Sequence, residues 1–117
     1  MGILCQLRDI YRAIIDFENQ FLDIHGLSLN EGMLLCTLSG SGTLSSGEIA
    51  DMLGLTNSNA SKVIRSVEKK GFIERTLGNE DRRQMYFTLT KDGKKVISEI
   101  KSEDFEIPES LKQYIKR

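Results

Sequence analysis

The stretch "SSGEIADMLGLTNSNASKVIRSVEKKG", residues 45–71, holds two short helices and the turn between them. Ser45 and Glu48 have the spacing of a capping box, in which a hydroxyl and a carboxylate close off a helix start reciprocally. Ile49, Ala50, Met52 and Leu53 give that helix an apolar side, and Gly54 is a natural C-cap. Only Gly54 and Leu55 precede Thr56, the next N-cap. In the second helix Ala60, Val63, Ile64 and Val67 recur at i, i+3, i+4, i+7 and form one buried stripe. The opposite face carries Ser58, Lys62, Arg65 and Lys69, flanked by Asn57, Asn59, Ser61 and Ser66. Two helices joined by a tight glycine turn are a helix-turn-helix signature. Short polar and basic side chains on the second helix suit base edges and phosphates. A solvated helix mixes Glu with its Lys at i,i+4 spacing, whereas here Glu68 is the only acid and lies to the side. An ordinary exposed helix face is the other reading.

Downstream, "FIERT" (72–76) and "QMYFTLT" (84–90) have strand character, the second with alternating Met85, Phe87 and Leu89. Between them Gly78-Asn79 opens a loop with Asp81, Arg82 and Arg83 at its tip. Helix-turn-helix, strand, basic loop, strand is the order of a winged helix. Arginines on such a tip are placed for a minor groove, where narrowing concentrates negative potential. Asp81 would repel phosphate unless it pairs with an arginine and fixes its direction. A solvated charge cluster is the alternative for these residues. Thr90 then caps a helix containing Val96, Ile97 and Ile100, and Pro108 suits the first turn of a short last helix with Leu111, Tyr114 and Ile115.

Upstream, Ile3, Leu7, Ile10, Ile14, Phe17, Phe21 and Ile24 alternate at spacings of four and three, a heptad pattern free of Gly and Pro. Leu4, Tyr11, Ile15 and Leu22 widen the stripe, so this helix has two sides to bury. A second copy of the chain is one cover; a monomeric core with this helix at its centre is the other. His25-Gly26 ends the helix. Ser28 and Glu31 form another capping-box pair for a helix with Met33, Leu34, Leu38 and Cys36 on its buried face, stopping at residues 39–42.

The 117 residues suit a single domain, and 39% hydrophobic with 28% charged residues describes a soluble globular chain. No apolar run approaches the ~20 residues of a membrane span, and no signal peptide is legible, so a cytoplasmic location is expected. Cys5 and Cys36 are too few for a disulfide framework. The net charge of −1 hides an asymmetry. Residues 1–55 hold two arginines against seven acids, while residues 56–95 hold ten cations against five acids. A basic segment inside an acidic chain points to a polyanion partner. Enzyme chemistry is not expected: the one histidine, His25, sits at a helix end, no metal-ligand spacing occurs, and residues 40–42 lack the Lys-Ser/Thr of a phosphate loop. No cofactor is expected.

Residues 28–93 resemble the core of MarR-type (multiple antibiotic resistance) winged-helix regulators. The resemblance rests on "LSSGEIADMLGLTNSNASKVIRSVEKKGFIER" and on "DRRQMYFTLTKDG", which has Asp-x-Arg, alternating apolar residues and Leu-Thr-x-x-Gly. It implies a mainly α fold with a small β-hairpin, a winged helix-turn-helix flanked by N- and C-terminal dimerisation helices. The whole chain would be one domain, with residues 1–25 and 94–117 for dimerisation and 28–93 for DNA. It further implies a homodimeric, sequence-specific regulator acting on a double-stranded operator, with no part in a membrane. Asn57, Ser58, Asn59, Ser61, Lys62, Arg65 and Lys69 would meet the major groove. Arg83, braced by Asp81, would enter the minor groove with Arg82 alongside. Ile3, Leu7, Ile10, Ile14, Phe17 and Phe21 would meet the second copy. Any small-molecule effector is unidentified. In this family a longer C-terminal helical region usually follows the Leu-Thr-x-x-Gly segment; here 24 residues follow Gly93. Two alternatives stand beside this reading: a winged helix used for protein assembly, and a regulator that senses oxidants through Cys5 or Cys36. For Cys36 an inert, buried thiol is expected, given its apolar neighbours.

Overall fold

The elements follow in the order α1 (Ile3–His25), α2 (Leu29–Ser41), β1 (Leu44–Ser45), α3 (Ser46–Leu53), α4 (Asn57–Lys69), β2 (Ile73–Leu77), β3 (Met85–Leu89), α5 (Lys91–Ser102) and a 3-10 turn (Glu109–Tyr114). They are seen in a computed structural model that describes residues 2–77, 85–103 and 105–116. Two compact units emerge: residues 1–29 with 104–117, and residues 30–103. Helix α5 belongs to the second unit.

In the second unit the caps form as their residue types dictate. Ser45 Oγ accepts from Glu48 N (3.2 Å), and Glu48 Oε1 accepts from Ser45 N (3.0 Å). Gly54 takes the left-handed conformation (φ +68°) that ends α3, and Thr56 Oγ1 caps α4. The strands make an antiparallel sheet in the order β1-β3-β2, with Leu44 opposite Phe87, Arg75 opposite Phe87 and Ile73 opposite Leu89. Leu34, Leu35 and Leu38 of α2, Ile49 of α3, Ile64 and Val67 of α4, Ile73, Phe87 and Leu89 of the sheet and Ile97 of α5 are all buried.

The β3–α5 junction gives the Leu-Thr-x-x-Gly segment a physical meaning. Thr90 Oγ1 donates to the Gly71 carbonyl (2.6 Å) and accepts from Gly93 N (3.0 Å), capping α5 while tying it to the turn after α4. A Cβ on Gly93 would lie 2.0 Å from the Phe72 carbonyl oxygen, so only glycine permits this approach.

Two expectations change. The hairpin gains a third strand, β1, whose two residues are too short to show an alternation. Helix α2 does stop within residues 39–42, at Ser41, before Gly42 turns the chain at φ +85°. Cys36 is exposed, because α2 buries the Leu34, Leu35, Leu38 side and leaves Cys36 and Met33 outside.

In the first unit α1 ends at Gly26, which is left-handed (φ +69°) and donates to the Leu22 carbonyl (2.8 Å). Phe17, Phe21 and His25 line one side of α1 and gather around Phe105, with Phe17 and Phe105 edge-to-face at 5.4 Å. An open cavity of about 920 Å³ is lined by Phe17 and Gln20 of α1 and by Phe105, Ile107, Pro108 and Ile115. The rest of the apolar stripe is uncovered: Ile3, Leu4, Leu7, Tyr11, Ile14, Ile15, Leu22 and Ile24 are exposed, from 37% at Ile15 to 78% at Leu4.

Candidate nucleic-acid interface

Helix α4 is oriented by what it buries. Ala60, Ile64 and Val67 lie inside the second unit at 1%, 3% and 0% exposure, and Val63 is half-buried. With that stripe fixed, 3.6 residues per turn carries the remaining side chains outward. Asn57, Ser58, Asn59, Ser61, Lys62, Arg65 and Lys69 are all exposed. Lys62, Arg65 and Lys69, three and four residues apart, make one cationic row along the helix. The Thr56 cap (Oγ1 accepting from Asn59 N, 3.1 Å) holds the first turn where Asn57, Ser58 and Asn59 project.

The one acid of α4 is occupied. Glu68 receives a two-pronged contact from Arg75 of β2, Nε to Oε2 at 2.6 Å and Nη2 to Oε1 at 3.0 Å. Those hydrogen bonds, then the charge of Glu68, push the Arg75 guanidinium pKa up. The same guanidinium lies 5.8 Å over the Phe87 ring centre. Sequence reading anticipated neither this fork nor its neighbour at Glu31. That carboxylate is 6% exposed; its Oε2 accepts from Ser66 Oγ (2.8 Å) and Lys70 Nζ (2.7 Å). Ser66, expected beside the outward face, is therefore turned toward α2. Glu31 and Lys70 are 39 residues apart, a distance at which no local pattern announces a contact.

Strands β2 and β3 form the stem of the wing, paired from Ile73–Leu89 out to Leu77–Met85. Asp81, Arg82 and Arg83, the expected brace and minor-groove residues, lie outside the described residues. Of the residues expected to meet a second copy, Ile3, Leu7 and Ile14 are exposed and Ile10 and Phe17 are half-covered. Phe21 is 4% exposed and packs within its own unit instead. Among the described residues no group of three His, Cys, Asp or Glu is arranged to hold a metal, and no helix is long and apolar enough to cross a membrane.

Comparison with known proteins supplies independent findings. The sequence model of the MarR family matches residues 27–85. The HTH-type transcriptional regulator YwaE of Bacillus subtilis (strain 168), itself uncharacterised, is 31% identical over 93 residues, covering 80% of this chain and 54% of that protein. The transcriptional repressor MprA of Escherichia coli (strain K12) is 28% identical over 89 residues, covering 74% of this chain and 51% of that one. A crystal structure of the S. aureus MepR–DNA complex superposes with a TM-score of 0.67 at 26% identity, covering 82% of this chain and 79% of that chain. The chain thus spans about half the length of the curated relatives it matches.

Proposed function

The chain belongs to the MarR family, and from that premise we propose that it is a transcription regulator that binds double-stranded DNA as a homodimer. Helix α4 enters the major groove and the wing reaches the flanking minor groove. The observation that carries this reading is the α4 surface: seven exposed polar or basic side chains, with the adjacent Glu68 tied up by Arg75. A helix so arranged offers hydrogen-bonding groups to bases and an unopposed cationic row to phosphates. The MepR–DNA complex supports it as a precedent in a similar fold.

In this proposal Asn57, Ser58, Asn59 and Ser61 read base edges, and Lys62, Arg65 and Lys69 hold the backbone. Arg83, directed by Asp81, enters the minor groove, and Arg82 meets phosphate beside it. The second copy covers the exposed side of α1 around Ile3, Leu4, Leu7, Tyr11 and Ile14, a stripe too long and too apolar for a solvent face. Selection of bound sequences from random duplex tests the reading. A pseudo-palindrome with half-sites one helical turn apart, or a multiple of it, is expected. With it goes a loss of ~1–3 kcal/mol and of flank preference in Arg83→Ala. Failure to enrich any duplex sequence favours a protein-assembly role instead.

A further inference from the structure

The ion pair between Arg75 and Glu68 joins the two elements that the proposed function assigns to different grooves. Glu68 sits in the last turn of α4, and Arg75 sits at the centre of β2. Both nitrogens of the fork engage both carboxylate oxygens, a geometry that fixes orientation as well as distance. From the sheet side, Arg75 stands opposite Phe87 in the β2–β3 register and its guanidinium lies over that ring. Phe87 is 3% exposed and Ile73, two residues before Arg75, is 2% exposed, so the strand end of the link is anchored in the core. On the helix side, Ser66 and Lys70 flank Glu68 in the sequence and are held by the buried Glu31. Each end of the fork thus belongs to an element packed into the second unit.

We propose that the Arg75–Glu68 pair is the strut that fixes the angle between the recognition helix and the wing stem. It thereby sets the spacing between the bases read by α4 and the flank reached by the wing. Arg75 is a positioning residue acting through Glu68, not a group that itself touches DNA. This rests on the DNA-binding reading for its consequence, but not for its geometry. The pair is half in solvent, with side-chain exposures of 46% and 27%. Its loss therefore loosens the stem without unfolding the domain.

Two measurements separate strut from contact. In the free protein, NMR residual dipolar couplings from α4 and from β2–β3 are expected to fit one alignment frame. In Arg75→Gln and in Glu68→Gln the β2–β3 couplings alone shrink, and the double variant is no worse than either single change. Couplings that keep their size in both variants overturn the strut. With DNA, both single variants lose flank preference while the α4-read core is retained, and affinity drops about two- to fivefold, the scale of an exposed ion pair. A direct phosphate contact by Arg75 predicts the opposite for Glu68→Gln, which then tightens binding by releasing the arginine; that result overturns the proposal. A wild-type chain that enriches no duplex sequence overturns the DNA-binding reading, and the couplings still decide whether the strut exists.

Discussion

Gly93 shows how a single residue couples chain chemistry to architecture. Its missing side chain lets α5 start against the Phe72 carbonyl, where a Cβ would sit 2.0 Å from the oxygen. Because the obstacle is backbone, not a flexible side chain, Gly93→Ala is expected to destabilise the fold by ~1–3 kcal/mol; urea unfolding checks this. Glu48 offers a pH-dependent counterpart. Its backbone hydrogen bond to Ser45, helped by the Ser45 hydroxyl, holds the carboxyl pKa below the usual glutamate range. A folded pKa below the unfolded one means that the cap contributes fully above the unfolded value. The contribution is lost as pH falls through the folded one. An NMR titration of Glu48 is expected to show a midpoint below the ordinary glutamate value, and Ser45→Ala, which keeps the backbone donor and removes only the hydroxyl, should raise that midpoint in part. Both capping residues were legible in the sequence because a capping box is written in four consecutive positions.

At the scale of elements, legibility follows the range of the interactions that decide each one. Helices α1, α3, α4 and α5 announce themselves through periodicity and local caps, and the structure sets them where those signals lie. The outward face of α4 follows from its buried stripe, so seven of the expected DNA-contacting residues are exposed together. Ser66 and β1 were misread or missed because their fates depend on partners far along the chain, and Cys36 because its own neighbours in α2 take the buried side. Ser66 meets Glu31, 35 residues away. Cys36 is excluded by three leucines that fill the α2 contact first. Strand β1 exists only because Leu44 and Ser45 find Phe87 and Tyr86. Helix α1 carries the element-scale prediction. Leu7 is 54% exposed within one chain, so Leu7→Glu leaves each copy folded. Sedimentation should show the wild type as a dimer and this variant as a monomer. A dimer of undiminished stability would place the interface elsewhere.

For the whole molecule, the charge asymmetry of the sequence acquires a location. The basic middle third supplies the cationic row of α4, while Glu68, the one acid on that helix, is drawn into an ion pair with Arg75. An overall charge of −1 therefore conceals a local cationic row, the one on which the proposed DNA binding rests. The family was legible from two contiguous motifs, and so was the buried stripe of α4; the polar contacts of Glu31 and Arg75 to that helix were not, because no local pattern announces them. The most direct test of the central claim is the affinity for one selected duplex and for a random duplex, measured across a salt series. Binding to DNA through α4 predicts a preference for the selected site of ~10³-fold or more. It also predicts a log affinity that falls linearly with log salt, with a slope that shrinks by about one in Lys69→Ala. Equal, salt-insensitive binding to both duplexes, or none to either, would contradict it.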